Sequence, residues 1–198
     1  MSKVALKYGG TIDKFIGDAI LIFFGDPESK GDKEDAKACV LMAIEMRERM
    51  KYLRELWEDQ GISSPLDIRI GINTGFCNVG NFGSEDRLDY TIIGGEVNLA
   101  SRLESNAEIG QILISHETNA LIKKDIICEK KGEIKVKGIA HKIQTYQVIG
   151  TNKNSPIKNI MFSEEYDGFN LKVDLNFSKK HQVVASLEKV LKKLKNKG

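Results

Sequence analysis

Residues 88–104 read LDYTIIGGEVNLASRLE, and this stretch decides the fold. A short apolar strand runs into a turn at Gly94-Gly95 and then into a helix on which Asn98 and Arg102, four residues apart, share one face. An amide and a guanidinium are therefore aimed at one point near a helix start. Unpaired backbone N–H groups and the helix dipole already favour an anion such as a phosphate there. The same spacing also describes a solvated helix face, so the neighbouring sequence has to choose between the two. Upstream, residues 11–25 read TIDKFIGDAILIFFG, two apolar runs around Gly17-Asp18. The pattern predicts a tight hairpin with Asp18 at the turn and residues 19–24 as a buried strand.

Outward from these stretches, 198 residues with 41% hydrophobic content and a net charge of +2 describe one soluble globular domain with room for an appendage. The near-neutral balance, without aromatic-interleaved basic runs, argues against nucleic acid as a partner. Cys39, Cys77 and Cys128 are scattered and have no metal-ligand spacing, as are His116, His141 and His181. The thiols read as reduced, in a cytoplasmic protein. No apolar run approaches the roughly 20 residues that cross a bilayer, and no signal peptide precedes the hairpin.

In chain order, residues 1–10 end in Tyr8-Gly9-Gly10, the closing end of a helix. After a polar loop at 26–31, Asp32 is a plausible N-cap with Asp35 in an acidic first turn, and apolar residues from Ala36 to Trp57 recur at three- and four-residue steps, predicting a long helix that ends near Gly61. Residues 66–72 alternate as a strand, Asn73-Thr74-Gly75 turns it, and 76–82 return beside it, with Gly83 to Arg87 as a loop. Strands are then expected at 111–115, 134–137 and 143–149, a short helix at 116–124, and a turn at Lys137-Gly138. Residues 151–163 read as a linker. Beyond it, strict alternation over 169–177 and helical spacing over 183–194 predict a strand followed by an amphipathic helix. A lone strand is not stable in water, so it is expected to dock on the main sheet or on a second chain. The lysines at 189, 192, 193, 195 and 197 read as a solvated face, with an anionic membrane as the other option.

Lys14 with Gly17-Asp18, Arg69-Ile70-Gly71-Ile72 followed by Gly75, Asp89-Tyr90-Thr91, and Val97-Asn98-Leu99-Ala100-Ser101-Arg102 stand in this order over about 140 residues. Together they resemble the catalytic domain of the class III nucleotide cyclases, the adenylate and guanylate cyclases. The resemblance implies an α+β sandwich of ferredoxin-like type over residues 1–150, a linker at 151–163 and a strand-helix extension at 164–198. It also implies that the family's first strand, which bears one of two metal-holding aspartates, precedes the position of Tyr8, so this chain is expected to be N-terminally truncated. Asp18 matches the other metal aspartate, with two Mg²⁺ or Mn²⁺ ions per site in the family.

By the same resemblance Arg102 carries transition-state charge on the α-phosphate, Asn98 orients the ribose or that phosphate, and Lys137 grips the outer phosphates. Base choice falls to Lys14 and Thr91. An ammonium donates to adenine N1 and a hydroxyl accepts from the 6-amino group, whereas guanine needs an acceptor such as Glu in the first position. The expectation is an adenylate cyclase making cyclic AMP and pyrophosphate from ATP, as a homodimer or with another cyclase domain, and attached to a membrane only through segments outside the chain. The alternative is a cyclase-homology module without turnover that binds nucleotide or regulates a partner by dimerisation. Glu96 departs from the family pattern and is expected to point away from the triphosphate.

Overall fold

The computed structural model describes residues 1–62, 66–84, 87–135, 142–152, 161–166, 169–174 and 180–195. The chain divides into two compact units, Met1–Ser155 and Pro156–Gly198. In the first, helix α1 (Ser2–Lys7) leads into the hairpin β1 (Thr11–Ile16) and β2 (Ala19–Phe23), and then the long helix α2 (Asp32–Asp59). β3 (Ile70–Ile72) follows, then the strands β4 (Asn78–Ser84) and β5 (Arg87–Ile93) and the helix α3 (Gly95–Asn106). β6 (Ile112–Ser115), α4 (His116–Ile122), β7 (Ile126–Ile134) and β8 (Ile143–Thr151) complete the unit. Among the described residues its largest sheet has the order β3-β6-β8-β7, parallel between β3 and β6 and antiparallel elsewhere.

Two apolar clusters anchor the helices. Met42 and Met46 of α2 pack with Ala5 of α1, and Ile12, Ile22, Phe24, Ile68 and Ile70 close around them. Leu99 and Leu103 of α3, with Ala107 at its C-cap, meet Leu113 of β6 and Ile143 of β8. Each such leucine, removed from water, contributes about 1.5–3 kcal/mol. α3 rests directly on β3 at Gly71, where an added Cβ would lie 2.1 Å from the Glu104 amide nitrogen and 2.3 Å from the Ala100 carbonyl oxygen. Only a residue without a side chain allows this backbone approach.

The β1–β2 hairpin, the long helix and the β5-to-α3 unit match the sequence reading, but β2, expected to be buried over 19–24, ends at Phe23 and buries only that residue, with Ala19 exposed. Other expectations are corrected. The cap of α2 is Gly31, and Asp35 reaches back to accept from Ser29 Oγ at 2.5 Å and from the Lys30 amide at 3.1 Å, so Asp32 is the first helical residue. The strand expected at 66–72 is limited to 70–72, and Leu66 is exposed. It does not form a hairpin with 76–82. The segment after it is drawn toward the helices instead, with Asn73 Nδ2 bonded to Glu96 and Thr74 Oγ1 2.9 Å from Thr118 Oγ1. β4 pairs with β5, Ser84 opposite Arg87. β7, of which only 134 was expected, is hidden in sequence by the polar run 129–133 and by bulges at Ile127/Cys128 and Lys130/Glu133. The Lys137-Gly138 turn lies outside the described residues.

In the second unit β9 (Met161–Tyr166) pairs antiparallel with β10 (Phe169–Asp174), and α5 (Lys180–Lys195) follows. The expected lone strand therefore has a local partner, part of it in the stretch read as linker.

Burial pushes the Cys39 thiol from an ordinary 9.0 up to about 12. The folded state keeps this proton after the unfolded chain has lost it, so the linked stability is intact below about pH 9 and falls as pH rises toward 12. Thermal melts are expected to show a lower Tm at pH 10.5 than at pH 8, and Cys39→Ala should show a shallower fall.

Candidate active site

The site is built from the β1–β2 hairpin, β5 and α3. Gly17, at φ 63, makes the tight reversal that leaves Asp18 exposed at the hairpin tip. In β1, Ile12 opposes Ile22 and Lys14 opposes Leu21, so Asp13 is the extra residue of a bulge. A bulge re-aims side chains out of strict alternation. Here it leaves Lys14 exposed and buries the Asp13 side chain to 1% exposure.

β5 is tied to this hairpin and to the loop after it by two hydrogen bonds. Thr91 Oγ1 donates to Asp13 Oδ2 at 2.9 Å, and Tyr90 Oη donates to Asp26 Oδ1. The Asp26 carboxylate, as acceptor of that bond, raises the Tyr90 phenol pKa. Lys14 Nζ lies 3.7 Å from the same Asp13 oxygen. Lys14 and Thr91, far apart in sequence, are thus gathered on one carboxylate. Thr91 is buried and Lys14 exposed, an arrangement that can present a hydroxyl and an ammonium to one flat ring.

α3 starts directly after β5. Leu99 and Leu103 anchor one side of it in the core, and Asn98 and Arg102 stand exposed on the other, with no side-chain hydrogen bond or ion pair among the described residues. The departure at Glu96 has a local explanation. Its carboxylate accepts from Asn73 Nδ2 at 2.6 Å and lies against Gly75, where an added Cβ would be 2.6 Å from Glu96 Cγ. Arg69 Nη2 pairs with Glu104 Oε1 at 3.0 Å, a surface link from the residue before β3 to α3. Lys137 lies outside the described residues.

Asp18 fits a hard cation in kind. Mg²⁺ is usually held by one or two carboxylates together with water and phosphate oxygens, and an exposed turn carboxylate can serve as one of them. Among the described residues no group of three or more His, Cys, Asp or Glu side chains is placed to hold a metal ion. None of their helices is long and apolar enough to cross a membrane.

The family model for the adenylate and guanylate cyclase catalytic domain matches residues 5–150. The chain belongs to this cyclase family. Adenylate cyclase 1 of Rhizobium meliloti (strain 1021) is 32% identical over 151 residues, which cover 75% of this chain and 22% of the relative. The chain thus spans about a fifth of that relative's length. Among solved structures, the adenylyl cyclase CyaB from P. aeruginosa superposes with TM-score 0.74 at 62% identity, covering 76% of this chain and 77% of that one. The guanylyl cyclase Cya2 superposes with TM-score 0.71 at 35% identity, covering 78% and 77%. The α+β cyclase fold expected from sequence is the fold observed.

Sequence reasoning did not single out Asp13 in this cyclase domain. The available signal was an acidic residue inside an otherwise apolar strand, directly before the candidate base-reading lysine.

Proposed function

We propose that the domain is an adenylate cyclase, converting ATP to 3′,5′-cyclic AMP and pyrophosphate. The observation that carries the reading is the convergence of Lys14 Nζ and Thr91 Oγ1 on Asp13, which supplies one donor and one hydroxyl to the edge of a base. Adenine offers a matching acceptor at N1 and a donor at its 6-amino group. In the reaction the ribose 3′-oxygen bonds to the α-phosphorus, the bond from that phosphorus to the β-phosphate bridge breaks, and the hydroxyl proton passes to solvent. Charge gathers on phosphate oxygens, so fixed cations lower the barrier. Arg102 takes the α-phosphate charge, Asn98 orients the ribose or that phosphate, and Lys137 holds the outer phosphates. Mg²⁺ or Mn²⁺, held in part by Asp18, supplies acidification of the 3′-hydroxyl and charge neutralisation when bound.

The proposed assembly is a homodimer, or a pair with another cyclase domain, in which Asp18 serves one site and the Lys14, Thr91, Asn98 and Arg102 set serves the other. Phe15, Ile16, Phe76 and Leu88 on and beside the two hairpins are each more than half exposed, apolar surface suited to a second copy.

The base assignment is tested with Lys14→Glu, which replaces a donor by an acceptor. The expected result is a fall in kcat/KM for ATP of roughly 10- to 100-fold, the size of one charge-assisted hydrogen bond, with no such fall for GTP. Unchanged turnover of ATP would remove Lys14 from the base site.

A further inference from the structure

We infer that Asp13 sets the adenine preference of this site by fixing the donor and acceptor roles of Thr91; the inference rests on the ATP reading above. A threonine hydroxyl has one hydrogen to donate and two lone pairs. Alone it fits the 6-amino group of adenine or the 6-oxo group of guanine equally well. Here the choice is removed. Thr91 Oγ1 donates to Asp13 Oδ2 at 2.9 Å. A carboxylate can only accept, so the hydroxyl hydrogen is committed and Thr91 offers a ligand lone pairs alone. Lone pairs match a 6-amino group and oppose a 6-oxo group.

The same Asp13 oxygen, 3.7 Å from Lys14 Nζ, holds in place the ammonium that serves N1. Two further features show that this carboxylate is not ordinary strand surface. Asp13 is the bulge residue of β1, with its side chain 1% exposed. Its other oxygen, Oδ1, is buried without a hydrogen-bond partner among the described residues. Buried unsatisfied acceptors are costly and uncommon in folded proteins, which points to a role beyond holding the fold together. Asp13 is a positioning residue: it acts on the base through Thr91 and Lys14.

The test is equilibrium binding of α,β-methylene-ATP and α,β-methylene-GTP, which resist cyclisation, to the parent chain, Asp13→Asn, Thr91→Val and the double variant, with melting temperatures measured alongside. An asparagine amide can donate to Thr91 Oγ1 and free its hydrogen for a 6-oxo group. The expected result is at least a tenfold preference of the parent for the ATP analogue and a drop of about tenfold or more in that preference in Asp13→Asn, with Tm unchanged. Thr91→Val should give a similar drop, and the double variant no more than either.

Thr91→Ser, which keeps the donor, should keep the preference. Asp13→Ala is read in the same way if Asp13→Asn does not fold. A preference within twofold of the parent in the Asp13 variants, or an equal loss for both analogues, overturns the inference and leaves the ATP reading standing. A parent chain that does not prefer the ATP analogue overturns the ATP reading itself, and the role of Asp13 with it.

Discussion

Arg102→Ala is expected to lower cyclic AMP formation by roughly 100- to 1000-fold, the cost of removing one group that stabilises transition-state charge. In its proposed role Arg102 meets charge that grows as the α-phosphate is attacked, so KM for ATP should move far less. The melting transition should stay in place, since the side chain is exposed and without a side-chain hydrogen bond or ion pair among the described residues. Arg102→Lys should recover only part of the rate: an ammonium keeps the charge and loses the planar fork that meets two phosphate oxygens. The contrast is Leu103, the next residue, fully buried in the α3 cluster. Leu103→Ala should lower stability by about 2–5 kcal/mol through the cavity it leaves. Steady-state kinetics and thermal melts on the three variants separate chemistry from packing within two adjacent positions.

Gly71→Ala is the second large effect. The added Cβ would meet the Glu104 amide nitrogen at 2.1 Å, the Ala100 carbonyl oxygen at 2.3 Å and the Glu104 Cα at 2.8 Å. All three are backbone atoms, so no side chain can swing away and α3 itself has to shift. Overpacking of this kind costs about 1–3 kcal/mol or more, which corresponds to a fall in Tm of roughly 2–12 °C in a chain of this size. The helix that moves carries Asn98 and Arg102, and a displacement of about 1 Å at a reacting centre can cost on the order of 100-fold in rate. Tm and kcat should therefore fall together. Gly80→Ala is the control: the nearest atom to its added Cβ is 3.9 Å away, on the Phe82 ring, and both quantities should hold.

The parts of the fold that sequence revealed are those whose signals are local. Gly17-Asp18 between two apolar runs marks a hairpin, helical spacing from Ala36 to Trp57 marks α2, and the glycines before Glu96 mark the start of α3. Pairing across long separations leaves no such mark. Nothing in residues 70–72 says that they lie parallel to residues 112–114, and their proximity to 76–82 suggested a hairpin that the Asn73–Glu96 bond and the β4–β5 pairing replace. β7 escaped notice because bulges break its alternation, and β9 because the partner of an alternating strand need not itself alternate.

The candidate site was legible to the same degree. Lys14, Thr91, Asn98 and Arg102 stand in motifs, but the carboxylate that gathers two of them became visible only when the β1 bulge buried Asp13 against β5.

Every residue role proposed above depends on the proposed preference of this domain for ATP over GTP. That preference is tested most directly by incubating the purified chain with Mn²⁺ and either ATP or GTP, and measuring cyclic AMP and cyclic GMP, with a chelator as the blank. Cyclic AMP formation that the chelator abolishes is expected, at a kcat/KM at least tenfold above that for cyclic GMP. Cyclic GMP formed as fast as cyclic AMP, or no cyclic nucleotide from a chain shown to bind ATP even when it is mixed with a cyclase domain that carries both metal aspartates, would overturn this reading.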